Sequence, residues 1–243
     1  MKPQPANSPS LPESSNSGAH ATIPVYLSRT YTWAYLNRRT LPWLDRPLVV
    51  SAILWGNAGR LMRAAVAQFE PGQHIVQAAC VYGSFSRMLA ERVGLGGRLE
   101  VVDVAPIQVA NARCKLTGLP QARVRQADLA ESDGHGIGAG CDGVCCFFLL
   151  HEVPERQRAS IVDNLLGAVR PGGKVVFVDY HRAHRWHPLR PIMAQVFRWL
   201  EPYAPSLLEL EIESLTPRAA AFEWQKTTVF GGLYQQVVAV RRV

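Results

Sequence analysis

The sequence lacks any apolar run that approaches the roughly 20 residues needed to span a bilayer. Its N-terminus also lacks the basic-then-apolar order of a secretion signal. These two absences predict a cytoplasmic location, with the chain either free or held peripherally on the inner face of the cytoplasmic membrane.

Cysteine is scarce, and its spacing is irregular. The five cysteines form neither paired CxxC motifs nor the dense framework of a small disulfide-stapled domain; they are Cys80, Cys114, Cys141, Cys145 and Cys146. We therefore interpret them as buried thiols in a reducing compartment.

Acidic residues are outnumbered, with 19 Asp and Glu against 26 Lys and Arg and a net charge of +7. This balance suits an anionic membrane surface or nucleic acid, and ordinary basic solubility accounts for it equally well. An enzyme that modifies nucleic-acid bases is disfavoured because the basic residues are scattered and no Pro-Pro-Tyr-type base-flipping motif follows the apolar run 144–150.

The length of 243 residues and the 48% hydrophobic content predict one α/β domain with an appended helical segment. Residues 1–21 are rich in Pro, Ser, Asn and Gly, so we predict a disordered tail there. Residues 22–69 form a predicted aromatic, helical lid, and residues 70–243 form the main domain. The lid can cover an apolar ligand, lie at a membrane interface or simply pack as a helix; its aromatic residues are Tyr26, Tyr31, Trp33, Tyr35 and Trp43.

The central stretch of the main domain is the segment from His74 to Ser86. Its apolar start, its turn at Tyr82-Gly83 and the helical spacing that follows predict a strand, a turn and a helix. Asp103 ends the next apolar run about 20 residues later, where a carboxylate can accept hydrogen bonds from ribose hydroxyls. This pattern is typical of a nucleotide-binding α/β unit.

The later elements extend that unit. Asp128 ends a third strand, the apolar run 144–150 predicts a central parallel strand, and Pro171-Gly172-Gly173 precedes a fifth. A helix from about Leu189 is expected to wall a substrate pocket at the carboxyl edge, and a hairpin turns at Gly231-Gly232. We predict a Rossmann-like α/β fold: a mostly parallel seven-stranded sheet with a C-terminal antiparallel hairpin and an N-terminal helical lid.

Residues 70–243 resemble the class I methyltransferases, which use S-adenosylmethionine (SAM). That superfamily carries an acidic residue and then glycines at every second position in the first turn, whereas this chain has Gln77, Ala79 and Val81 before Gly83. Because an added Cβ keeps the backbone from approaching a ligand closely, we expect the methionine end of the cofactor to be displaced. The cofactor-binding residues implied by the resemblance are Gln77, Ala79, Val81, Gly83, Ser86, Asp103, Asp128, Leu129 and Phe148. Asp128 either accepts from the adenine amino group or caps the next turn.

A narrower resemblance rests on Tyr26-Leu27, on the Tyr31–Tyr35 segment, on Val81–Ser86 and on His151-Glu152-Val153-Pro154. Together these are similar to the rhodoquinone-biosynthesis family. The resemblance implies conversion of ubiquinone to rhodoquinone, in which an amino group replaces a ring methoxy group, SAM donates the nitrogen and Mn²⁺ assists.

The residues implied for this chemistry lie after the fourth and fifth predicted strands. Tyr82, His151 and Glu152 are the catalytic candidates. The candidate Mn²⁺ ligands are His151, Glu152, Asp179 and His181, since oxygen and imidazole suit this ion and adjacent strand ends meet at one crevice. Each of them can instead be an ordinary loop residue. Two alternatives stay open: a conventional methyltransferase acting on a quinone or another lipophilic molecule, and a cofactor-binding module without catalysis.

Overall fold

The computed structural model describes residues 23–30, 41–131 and 137–243. The predicted disordered tail lies outside these ranges, as do Tyr31, Trp33 and Tyr35 of the predicted lid, so those predictions stay as they are.

One seven-stranded sheet organises the molecule, in the order β3-β2-β1-β4-β5-β7-β6. The strands are β1 (His74–Ala78), β2 (Arg98–Asp103), β3 (Ala122–Gln126), β4 (Cys141–Phe147), β5 (Val169–Tyr180), β6 (Phe222–Val229) and β7 (Tyr234–Arg241). The first five pair in parallel, whereas β7 runs antiparallel to both β5 and β6. The predicted fold class is confirmed, and this is the class I methyltransferase fold.

Helices pack on both faces of the sheet. The described α-helices are α1 (Val25–Thr30), α2 (Leu41–Leu44), α3 (Pro47–Ile53), α4 (Ala58–Val66), α5 (Phe85–Val93), α6 (Pro106–Lys115), α7 (Glu155–Ala168), α8 (Arg190–Trp199) and α9 (Ala204–Leu208). Short 3-10 helices occupy Leu150–Glu152, Ile212–Leu215 and Ala219–Ala221. One apolar core joins α3, α4, α5 and α8 to the sheet, and the other joins α7 to its opposite face.

The chain order places the lid helices next to the altered turn. The apolar run expected between Leu48 and Phe69 divides into α3 and α4, because Gly56 takes a φ of +77° between them. Asp45, just before α3, accepts a hydrogen bond from the backbone N–H of Gly83 at 2.7 Å and one from the Lys115 ammonium at 2.8 Å. The lid segment is thereby attached to the turn after β1.

Two further expectations need correction. The Pro171-Gly172-Gly173 turn does not precede β5 but lies within it, and the register with β4 shifts there, from Cys141 paired with Val169 to Gly143 paired with Lys174. The cysteines are all free thiols, but only the three in β4 are buried: Cys80 is half-buried and Cys114 is exposed on α6. In the described ranges, every helix is too short or too polar to cross a membrane.

Candidate functional site at the carboxyl edge of the sheet

Two cavities open at the carboxyl ends of the parallel strands, where ligands bind in open α/β sheets. The first encloses about 630 Å³ of space between atoms, including its mouth, and the second about 1230 Å³. Cys80, Phe148 and Glu152 line both cavities. A molecule in one cavity therefore lies beside a molecule in the other.

The first cavity contains five of the nine predicted cofactor residues, namely Ala79, Asp103, Asp128, Leu129 and Phe148. Val81 lines the second cavity instead. Gln77, Gly83 and Ser86 line neither cavity. Tyr26 on α1 borders the first cavity.

Gln77 supports the turn after β1 from inside the protein. Its side chain is fully buried, and its amide donates to the carbonyl of Ala79 at 2.8 Å. Gly83 serves the turn itself, because its φ of +77° lies in the left-handed region that favours glycine. Ser86 is buried in the first turn of α5. These three residues shape the floor of the site without lining it.

The backbone is strained at two strand ends that face the cavities. Ala79 has a φ of +67° and Phe148 a φ of +53°, in the left-handed region that residues with a Cβ rarely adopt. Each is anchored, since Ala79 donates to the carbonyl of Val102 and Phe148 to that of Val178. Strain of this kind persists where the surrounding structure enforces it, and it clusters at binding sites.

Replacing Ala79 with Gly is expected to raise the free energy of unfolding by about 0.5 kcal/mol. Removing the Cβ relieves about 1 kcal/mol of left-handed strain, and the greater freedom of Gly in the unfolded chain offsets part of that gain. Urea unfolding measures the change. Ala78→Gly is the matched control: Ala78 is fully buried at the end of β1 with ordinary backbone angles, so that change should destabilise by about 1 kcal/mol. If both variants lost the same free energy of unfolding, the backbone at Ala79 would not be strained.

The two aspartates of the first cavity are both engaged by the backbone. Asp103 accepts from the N–H groups of Cys80 at 2.7 Å and Ala105 at 2.8 Å. Burial raises the pKa of Asp103, while these donors act in the opposite direction. Asp128 accepts from the N–H of Ala130 at 2.8 Å, so it caps the next turn, and it also faces the cavity. Each carboxylate oxygen has two lone pairs, which leaves acceptor capacity toward a ligand.

The second cavity is mostly apolar and deep. Its walls come from α3, α4 and α8, and the predicted role of the helix after Leu189 as a pocket wall is confirmed by Met193 and Val196. All three predicted catalytic residues, Tyr82, His151 and Glu152, line it. The Tyr82 hydroxyl accepts from the Gln108 amide at 3.3 Å, and burial raises the pKa of this tyrosine.

A cluster of His151, Glu152 and Glu201 stands in the wall of the second cavity, and its ligand atoms lie within 4.8 Å of one another. The Nε2 atom of His151 lies 3.7 Å from a Glu152 oxygen and 3.8 Å from a Glu201 oxygen. On the other side of the ring, Nδ1 lies 2.8 Å from Asp179. Because a carboxylate only accepts, Nδ1 carries the proton and Nε2 is turned toward the glutamates. One imidazole and two carboxylates are a set that can hold a divalent cation.

Burial lowers the pKa of His151, but the carboxylates of Asp179, Glu201 and Glu152 outweigh it and raise the pKa to about 9. The cluster therefore favours positive charge at the imidazole. A metal ion that binds Nε2 displaces a proton from it, since the metal ligand is neutral imidazole.

Asp179 and His181, both predicted as ligands, lie outside this cluster. Asp179 is buried and accepts from the N–H groups of Leu150 at 2.9 Å and Tyr180 at 2.7 Å, as well as from His151. It orients the histidine, as carboxylates behind metal-bound histidines do. The ring of His181 instead contacts the carbonyl of Gly232 at 2.9 Å. Glu201 takes the place in the cluster that sequence reasoning assigned to these two residues.

Arg158 joins the two chain segments that form the cluster. It lies on α7, is fully buried, and donates to the carbonyl of Leu150 at 2.9 Å and to that of Val153 at 3.0 Å. The same guanidinium donates to the Tyr203 carbonyl at 2.8 Å and the Ser206 hydroxyl at 3.1 Å. One side chain thus connects the segment of His151 and Glu152 to the segment of Glu201.

Comparisons with known proteins agree with the fold. A family model described as a methyltransferase domain matches residues 75–173. The chain is 27% identical over 213 residues to the uncharacterized methyltransferase sll0829 of Synechocystis sp.. This alignment covers 86% of this chain and 94% of that protein.

Among solved structures, an O-methyltransferase family protein from Burkholderia thailandensis has a TM-score of 0.60 at 15% identity. The match covers 80% of this chain but only 57% of that one. The N-methyltransferase NodS from Bradyrhizobium japonicum, in complex with S-adenosyl-L-homocysteine, has a TM-score of 0.55 at 15% identity and covers 84% of this chain and 93% of its own.

Together the comparisons show that the chain is similar in sequence to methyltransferases and that it shares the fold of SAM-dependent methyltransferases. The narrower resemblance to the rhodoquinone-biosynthesis family stays a prediction.

Proposed function

We propose that this chain is a SAM-dependent transferase that converts ubiquinone to rhodoquinone, by replacing a ring methoxy group with the amino nitrogen of SAM. The observation that carries the proposal is that the two cavities meet at Phe148 and Glu152. A cluster able to hold a cation lies in the wall of the second, apolar cavity. This arrangement puts a nucleotide site next to a site for a lipophilic ring and next to a cation site.

The first cavity suits SAM. Asp103 and Asp128 stand at the ends of β2 and β3 with acceptor capacity for ribose hydroxyls and for the adenine amino group. Ala79 stands at the end of β1, where its Cβ occupies space that a glycine would leave to the methionine end. This crowding supports an altered pose of the amino acid end, which amination needs and methyl transfer does not.

The cluster suits Mn²⁺ because its donors are one imidazole and two carboxylates, and because Asp179 fixes the histidine from behind. His151, Glu152 and Glu201 would hold the ion. When bound, such an ion acts as a Lewis acid and polarises a quinone carbonyl.

The remaining tasks fall to the protein's own side chains. The apolar walls of the second cavity, including Leu54, Phe147 and Met193, bind the ring and isoprenoid and keep water out. Tyr82 borders the junction of the two ligands and can orient the ring through its hydroxyl. In the exchange on the ring, a carbon–nitrogen bond forms, the carbon–oxygen bond breaks, and the methoxy group leaves as methanol with a proton from the nitrogen. The nitrogen is then still bonded to the α-carbon of SAM. Loss of the α-proton converts this amine to an imine while the quinone ring accepts the two electrons and becomes a hydroquinone. Water then hydrolyses the imine, which breaks the bond to the α-carbon, leaves the amino group on the ring and releases the 2-oxo acid of the nucleotide.

A conventional methyltransferase acting on a quinone or another lipophilic molecule is the second candidate. Its support is the match to a methyltransferase domain and the likeness to the Synechocystis protein. The same two cavities serve that reaction when the sulfonium methyl, rather than the amino group, points at the acceptor.

The deciding experiment incubates the purified protein with ubiquinone, Mn²⁺ and SAM labelled with heavy nitrogen at its amino group, and weighs the quinone product. Amination exchanges methoxy for amino and carries the label into the quinone. Methylation adds a methyl group and leaves the label in the nucleotide product. Binding of SAM without any change in a quinone contradicts both and favours a module without catalysis. The control omits Mn²⁺, which should abolish the labelled product.

A further inference from the structure

We infer that the rim of the second cavity is a docking surface for an anionic membrane, through which the lipophilic substrate enters. The route of entry rests on the proposed function, whereas the surface itself rests on exposed residues and charge. Three residues line the cavity and are also exposed at its mouth: Ile53 is 47% exposed, Trp55 36% and Leu200 44%.

The apolar rim extends beyond the cavity mouth. Leu48 on α3 is 85% exposed, and Trp199 at the end of α8 is 72% exposed. On α8, Ile192, Val196 and Trp199 follow one another at helical spacing and share a face. The neighbouring Met193 and Phe197 are the buried residues of this helix. Helix α8 therefore carries more apolar surface than the core uses.

The charge of the rim complements anionic lipid. The rim belongs to residues 41–66 and 181–200, which contain seven arginines, a single acidic residue, Asp45, and no lysine. These two segments thus supply six of the chain's seven net positive charges. Asp45 is itself paired with Lys115. The arginines are Arg46, Arg60, Arg63, Arg182, Arg185, Arg190 and Arg198.

Aromatic and basic side chains adjoin in the segment 181–200, as they do in proteins that lie at the membrane interface. The guanidinium of Arg198 lies 5.2 Å from the ring of Trp199, and that of Arg185 lies 5.2 Å from the ring of Trp186. Because the apolar cavity opens inside this patch, a bilayer supplies substrate directly to it. A protein partner covering the same patch would close the mouth, so the membrane fits better.

The test is flotation of the full chain with vesicles, without any quinone. Wild-type protein should bind vesicles of phosphatidylcholine with phosphatidylglycerol and bind pure phosphatidylcholine vesicles weakly. The double variant L48S/W199S, which leaves the cavity lining intact, should lower the partition coefficient at least about tenfold. R198E should lower it about fivefold for each unit of charge removed.

Matched controls lie away from the rim. Leu95 is 81% exposed in the turn before β2, at the amino edge of the sheet, so L95S should bind as wild type does. Arg123 is exposed on β3, and R123E serves as the charge control. Equal binding to both vesicle types, binding to neither, or equal losses in the rim and control variants would overturn the inference. Because no turnover is measured, a wrong assignment of the reaction leaves this result unaffected.

Discussion

Glu201→Gln is expected to lower turnover more than about 100-fold and to weaken Mn²⁺ binding at least as much, while SAM affinity stays within about twofold of wild type. The substitution keeps the size of the side chain and removes one of the two carboxylates near Nε2 of His151. Glu201 lines the second cavity but not the first, so the nucleotide should be unaffected. Calorimetric titration measures both affinities, and product mass measures turnover.

The matched control for this prediction is Glu209→Gln, because Glu209 is exposed just after α9. It should behave as wild type does in all three measurements. If Glu201→Gln kept its Mn²⁺ affinity and turnover, the cluster would not be the metal site. If it lost SAM affinity in proportion, the two cavities would not be separate sites.

Sequence periodicity predicted the sheet well because its signals are local. The apolar runs, the punctuation at Pro71-Gly72 and the carboxylate at the end of β2 each depend on a few neighbouring residues. The sequence alone therefore places Asp103, Asp128 and His151 at the edge of the sheet where they line the two cavities. The register shift inside β5 was missed, because a Pro-Gly-Gly sequence reads as a turn whether or not the strand continues on both sides of it.

The cation cluster was predicted only in part because its members come from distant segments. Glu201 is about 50 residues beyond His151, after a helix, and no local pattern distinguishes it from the exposed Glu209. The only signal was the apolar face of α8, which indicated a helix over the carboxyl edge. Gln77 shows the opposite error: its position in the turn motif suggested a ligand, whereas its side chain is directed into the protein and holds Ala79.

Arg158→Met is expected to destabilise the protein by about 3–5 kcal/mol and to weaken Mn²⁺ binding in whatever fraction remains folded. Methionine fills similar space but leaves the carbonyls of Leu150, Val153 and Tyr203 without the donor that Arg158 supplies. The segments carrying His151 and Glu201 then lose their shared tether. Urea unfolding measures stability, and calorimetry measures the ion.

Arg158→Lys separates folding from positioning. An ammonium supplies three donors but not the planar fork, so it should recover part of the stability while reaching fewer of the four acceptors. We expect its Mn²⁺ affinity to stay about tenfold below wild type even where it is fully folded. Arg156→Met, an exposed arginine on the same helix, should change neither property. A folded Lys variant with wild-type Mn²⁺ affinity would show that Arg158 stabilises the fold without setting the distance between His151 and Glu201.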